Sequence, residues 1–220
     1  MINIALDGPS GAGKSTIAKR VAEALGILYL DTGAMYRALG LTALNRGIDP
    51  KDAEKVAEMA ARTEITVTLE AGVQHTFADG EDVTGLIRTP EVAAAASAVS
   101  AVPAVRRQMV AIQRQIAAET DMILDGRDIG TFVLPDTPYK FFLNATPEER
   151  ARRRYTELLA KGVECTFEQI LRDIQRRDEN DSNRAFAPLK KAEDAVEIDT
   201  THLTIDEVSH IIIKTVRGEA

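Results

Sequence analysis

Gly8-Pro9-Ser10-Gly11-Ala12-Gly13-Lys14-Ser15, with Thr16 behind it, decides how this chain is read. The stretch fits G-x-x-x-x-G-K-[ST], a loop whose backbone N–H groups curl around triphosphate oxygens. Its glycines keep side chains out of the curl, so the backbone can close on an anion. Lys14 adds a flexible point charge for the outer phosphates, and the Ser15 hydroxyl is a hard oxygen ligand for Mg²⁺. The flanks agree with the motif. Residues 2–6 form an apolar, β-branched run suited to a buried parallel strand, and residues 15–25 carry the apolar spacing of a helix. Strand, loop and helix in that order mark a nucleoside-triphosphate site, with every residue from Gly8 to Thr16 a candidate contact.

Working outward, strands and helices alternate. Gly26 ends the first helix, and a second buried strand over 27–30 leads into Asp31-Thr32-Gly33. Helices are predicted over 34–46 and from Pro50 to about Arg62. From Glu64 the period changes: Ile65, Val67 and Leu69 alternate with Thr66, Thr68 and Glu70, with turns at Ala71-Gly72 and Asp79-Gly80. Residues 64–84 therefore read as a small antiparallel insertion. Helices over 90–101 and 104–119 follow, then strands over 121–125, 139–144 and 195–199. Thr146-Pro147-Glu148-Glu149 opens an arginine-rich helix, Thr166-Phe167-Glu168-Gln169 is a capping box, and Thr204-Ile205-Asp206-Glu207 caps the last helix. Residues 178–191 read as polar and irregular. The pattern is α/β, a five-stranded parallel sheet flanked by helices.

The 220 residues carry a net charge of -7, from 27 basic and 34 acidic side chains, which argues against nucleic acid as the main partner. Arginines nevertheless cluster at 150, 152, 153 and 154 and at 172, 176, 177 and 184, a density suited to small polyanions. Cys165 is the single cysteine, so no intrachain disulfide can form. The first strand begins at once, and the most apolar stretch, 92–105, is too short and too polar for a membrane span. A cytoplasmic protein with no membrane partner is expected.

Three further blocks carry a family resemblance: Leu30-Asp31-Thr32-Gly33-Ala34-Met35-Tyr36-Arg37, Asp125-Gly126-Arg127-Asp128-Ile129-Gly130-Thr131, and Asp181-Ser182-Asn183-Arg184-Ala185-Phe186-Ala187-Pro188-Leu189. With the Gly-rich loop they resemble bacterial cytidylate kinases, in that family's order and across essentially the whole chain. The resemblance implies a P-loop nucleotide kinase fold with a helical lid, and the reaction ATP + CMP → ADP + CDP, with dCMP also accepted. Mg²⁺ would be the cofactor and ATP the co-substrate. It divides the chain into a core (1–31, 120–146 and 190–220), a monophosphate-binding part (32–119, including the insertion) and a lid with sugar and phosphate contacts (147–189).

The same resemblance assigns roles to side chains. Thr32 and Arg37 would hold the monophosphate, with Tyr36 lining the site, although Thr32 also reads as a simple N-cap. Asp128 and Ser97 would face the cytosine amino group and Arg106 its acceptors. Taken alone, Ser97 in an alanine-rich helix reads as packing filler and Arg106 as a solvated charge. Arg177 and Asp181 are expected beside the sugar, and Arg184 on the phosphates. Arg127, where the sheet ends at the crevice edge, reads as a catalytic and CMP-binding residue, its other reading being a surface ion pair. Arg150, Arg153 and Arg154 would belong to a mobile lid that screens the transferring group, two of them mattering for the transfer; their other reading is an arginine-rich solvated helix face. Asp125, closing a buried strand, would steer Mg²⁺ with Ser15, directly or through water; its other reading is a turn cap. The rivals are adenylate, uridylate or shikimate kinases of the same architecture, and a GTP switch, for which no Asn-Lys-x-Asp motif is present. Nothing in the sequence calls for more than a monomer.

Overall fold

The computed structural model describes residues 1–70, 72–160 and 162–219. Five strands form one parallel sheet: β1 (Asn3–Asp7), β2 (Leu28–Asp31), β6 (Met122–Gly126), β7 (Tyr139–Asn144) and β8 (Val196–Asp199), in the order β2-β6-β1-β7-β8. The strand with the Gly-rich loop at its end is thus central, flanked by β6 and β7. Side chains alternate between its faces as the two-residue repeat of a strand requires. Ile4 and Leu6 join Ile123, Phe141 and Ile198 against helices α1 (Lys14–Leu25) and α8 (Ile205–Arg217). Ala5 points the other way, into a cluster with Leu30, Leu124, Ile129 and Val110. Val110 comes from α5 (Pro103–Ala117). Both faces are covered, which is why these strands are continuously apolar.

A second core lies beside the sheet, where α2 (Thr32–Asn45), α3 (Ala53–Ala61), α4 (Pro90–Val99) and α5 bury Met35, Leu39, Val56, Val99 and Met109. The insertion is the expected antiparallel unit, β3 (Ile65–Glu70), β4 (Val73–Ala78) and β5 (Glu81–Asp82). The turn expected at Ala71-Gly72 falls in part outside the described residues, since Ala71 is not among them. Helices α6 (Pro147–Ala160) and α7 (Phe167–Ser182) pack through Ala151, Ile170 and Ile174.

Several boundaries differ from the sequence reading, each for a local reason. Helix α2 begins at Thr32 because Asp31, not Thr32, is the N-cap, its carboxylate accepting from the Ala34 N–H at 3.1 Å. Helix α3 starts after Asp52, which caps it from the same position. Residues 178–182, expected to be irregular, continue α7. There Asp178 and Asp181 take arginine partners from elsewhere in the fold, and those tertiary ion pairs outweigh weak helix propensity. Unforeseen altogether is a π-helical turn, Ile129–Val133, directly after β6.

Both expected capping boxes are present, at Thr166 and Thr204. Thr204→Ala removes the acceptor for the Glu207 N–H at 3.2 Å and should lower stability by about 1 kcal/mol. Urea unfolding of the variant, with kinase activity as the control, checks that figure.

Candidate active site

The parallel strands all end on one side, and their last residues set its chemistry: Asp7 on β1, Asp31 on β2, Asp125 one residue before the end of β6. Asp7 lies opposite Gly126 and Asp31 opposite Asp125, so the three acids sit along one edge. Ligands of open α/β sheets bind at such edges.

The loop leaving β1 turns through Gly8, Gly11 and Gly13, with φ of 147°, 81° and 86°. A Cβ on Gly8 would lie 2.1 Å from the Leu143 carbonyl oxygen, so the loop runs against β7. Lys14 opens α1 yet is buried, its Nζ donating at 2.8 Å to the carbonyls of Gly8 and Pro9. Burial, and then the nearby Arg127, bring its pKa down to about 7. The next residue, Ser15, donates from its hydroxyl to Asp125 Oδ2 at 2.6 Å, and the Tyr29 hydroxyl approaches the same oxygen at 3.3 Å. Burial, followed by Asp31, pushes Asp125 up to about 6. Asp125 is therefore a partner of Ser15 at the loop rather than a turn cap. Two hard oxygens at a triphosphate loop are a fitting donor set for an ion that keeps part of its water shell. No group of three or more His, Cys, Asp or Glu able to hold a metal occurs among the described residues.

Beyond the loop, cations converge. Asp181 on α7 accepts from Arg127 Nε at 2.9 Å and faces Arg184 Nη1 at 3.5 Å. Burial pushes the Asp181 carboxyl up, but Arg127, Arg184 and Arg177 outweigh it and hold the pKa below the usual carboxylate value. Arg177 is brought down to about 10 by burial and then by Arg127. Burial likewise lowers Arg37 and Arg184, with other arginines adding to the effect. Thr32 spends its hydroxyl proton on the Asp125 carbonyl at 2.6 Å, leaving oxygen lone pairs at the N-terminus of α2.

Next to this cluster Arg106 and Asp128 form an ion pair with side chains 2% and 5% exposed. Arg106 is a buried charge, not the solvated one its sequence alone suggests. Its guanidinium carbon sits 5.1 Å from the Tyr36 ring centroid, a cation–π contact. Asp128 Oδ2 and Arg106 Nε have no hydrogen-bond partner among the described residues. Arg106 also reaches the carbonyl of Ser100, one turn beyond Ser97 on α4.

The three arginines expected in a lid, all on α6, divide. Arg150 is buried and donates to the carbonyls of Ala145 at 2.9 Å and Ser10 at 3.0 Å and to Asp178 at 2.6 Å, so it braces the Gly-rich loop. Arg153 reaches Glu149 and the Thr200 carbonyl, and its Nη1 lies 4.0 Å from where a Gly13 Cβ would be. Arg154 pairs with Glu157 on the same helix and is 40% exposed. The sequence reading overlooked three participants at the strand edge. Gln74 of β4 clamps Asp31, accepting from its N–H at 2.7 Å and donating to its carbonyl at 3.2 Å. Arg88 donates to the Asp31 carboxylate at 2.8 Å. Asp7 accepts from the backbone N–H groups of Ile129 and Gly130. No motif spacing connects residues so far apart, and only the fold brings them together.

The cytidylate kinase family model matches residues 4–218. A cytidylate kinase from Halalkalibacterium halodurans is 52% identical over 98% of this chain and 97% of its own length. One from Limosilactobacillus reuteri is 52% identical over 98% and 95%. Among solved structures, a gluconokinase from Sinorhizobium meliloti (TM-score 0.50, 14% identity, 100% and 93% coverage) and a shikimate kinase from Bacteroides thetaiotaomicron (0.50, 14%, 98% and 98%) share the fold. With the family matched over nearly its full length and a triphosphate loop facing a buried basic cluster, the chain is a kinase and belongs to the cytidylate kinase family.

Proposed function

We propose that this kinase transfers the terminal phosphoryl group of ATP to CMP, and to dCMP, with Mg²⁺, within pyrimidine nucleotide metabolism. One observation carries the choice of base: a buried carboxylate oxygen without a partner, Asp128 Oδ2, lies beside a buried guanidinium with a spare donor, Arg106 Nε. Cytosine offers the complement, an amino donor at N4 and acceptors at N3 and O2. A site built from such groups rejects a base that leaves them unpaired. Ser97 would assist on the amino side, and Tyr36 would back the ring.

The rest of the site then does positioning and charge neutralisation, which is most of what phosphoryl transfer asks of a protein. Gly8 to Thr16 would cradle ATP. Lys14 would exchange its two carbonyl partners for phosphate oxygens, and a polyanion beside it restores the charge that burial disfavours. Thr32, Arg37 and the N-terminus of α2 would seat the monophosphate. Arg177 and Asp181 would hold the sugar, with Arg127 and Arg184 turned to the phosphates between the two nucleotides. Ser15 and Asp125, the latter through water, would hold Mg²⁺, whose charge would offset that gathering on the transferred group. Arg153 is the lid residue best placed to follow the reacting phosphates, while Arg150 would keep the loop in shape. In this reading 1–31, 120–146 and 190–220 form the core, 32–119 the monophosphate-binding part and 147–189 the lid. We further propose a cytoplasmic monomer; no described helix is long and apolar enough to cross a membrane.

A coupled ADP-release assay over CMP, dCMP, UMP, AMP, GMP and shikimate tests the function. CMP and dCMP should lead, and a preference for any of the others would overturn the reading. Lys14→Ala should collapse turnover while calorimetry still detects CMP binding. Asp128→Ala strands the Arg106 charge and so lowers activity with every substrate. The CMP-to-UMP ratio of kcat/KM should fall as well, on the order of tenfold, because only CMP loses a partner for an amino group.

A further inference from the structure

Asp7 is the last residue of β1, and neither the triphosphate loop nor the base pocket includes it. Its side chain is nonetheless buried, and both carboxylate oxygens are engaged: Oδ1 accepts from the Ile129 N–H at 2.8 Å and Oδ2 from the Gly130 N–H at 2.7 Å. Those two amides directly follow Asp128. The Asp128 carbonyl in turn accepts from the N–H groups of Phe132 at 2.8 Å and Val133 at 3.2 Å. The Asp128 backbone is thus fixed just ahead of the π-helical turn, and Asp7 supplies the only side-chain acceptor for the two amides after it among the described residues. Gly130 is pressed into this contact. A Cβ there would lie 3.4 Å from Asp7 Oδ2 and 3.3 Å from side-chain carbons of Lys140.

We propose that Asp7 is a positioning residue for base selection: by gripping the amides of Ile129 and Gly130 it aims the Asp128 carboxylate, and through it Arg106, at the pyrimidine edge. Two N–H donors meeting one carboxylate set direction as well as distance. A pocket that discriminates by hydrogen bonds needs its carboxylate held to about 0.5 Å. Asp7 therefore ties the strand that presents the triphosphate loop to the loop that reads the other nucleotide. Burial pushes its pKa up to about 7, against the pull of the two amides, so the carboxylate is held there at a cost that packing alone does not explain. The inference rests on the cytosine reading above.

Asp7→Asn keeps one acceptor and turns an NH₂ group toward the other amide. Measured beside the wild type, it should raise KM for CMP on the order of tenfold and lower the CMP-to-UMP ratio of kcat/KM by a similar factor, with KM for ATP within about threefold. An effect through Lys14, or a general loss of structure, would instead lower turnover with CMP and UMP by one common factor, and that result overturns the proposal. Should Asp7→Asn fail to fold, Gly130→Ala carries the same test by crowding the Asp7 carboxylate and the Lys140 side chain at 3.3 to 3.4 Å. A selective loss for CMP there supports the proposal, and equal losses overturn it. A wild-type enzyme without preference for CMP defeats the functional reading and this inference with it. A wild-type preference that survives both substitutions defeats this inference alone.

Discussion

Like charges crowded out of water at one end of a parallel sheet are the constraint around which this molecule is arranged. Lys14, Arg37, Arg177 and Arg184 are all made less basic by burial, and in each case other arginines add to the effect. Repulsion of that kind grows as the surroundings dry out, because the effective dielectric falls. The fold tolerates it by ending its strands and one helix in acids. Asp125 and Asp181 face the cations directly, and Asp31 receives Arg88. A bound phosphate would supply further counter-charge, so under the proposed function the protein is electrostatically completed by what it binds. Affinity and fold stability are in that sense linked.

The geometry of the sheet makes this crowding possible. Parallel strands bring all their carboxyl ends to one edge, and the central strand sends its loop across that edge. Helices α6 and α7 then close over it by ion pairs rather than by a broad apolar interface. Arg150 reaches both Ser10 and Asp178, while Arg127 crosses from the end of β6 to Asp181. Helices α6 and α7 are therefore joined to the sheet and its loop through the same kind of charged contact that phosphates make.

How much of this was legible beforehand follows from how local each signal is. Gly8 to Ser15 announce themselves because one turn of chain does the whole job, and the strands because two-residue and continuous apolar patterns leave little choice. Capping at Thr166 and Thr204 is local and present where the sequence places it; the start of α2 is ambiguous in sequence because Asp31 and Thr32 both suit an N-cap. Arg106 on its own looks like a surface charge, since its partner Asp128 lies 22 residues on in another element. Residues 178–182 looked irregular for the same reason, their helix being held by arginines from β6's end and α6. The grips of Asp7 and Gln74 depend on pairings 43 to 123 residues apart, which no window along the chain can see.

The clamp of Gln74 on Asp31 carries one more implication. Gln74 stands opposite Leu69 in the β3–β4 hairpin, and its side chain faces the parallel sheet only in that register. Because strand side chains alternate, a slip by a single position would turn Gln74 outward and present a neighbour that has no amide to offer. The hairpin is thus a measured spacer: its arms can vary in surface composition, but gaining or losing one residue between Ile65 and Gln74 would unfasten the insertion from the helix start it steadies.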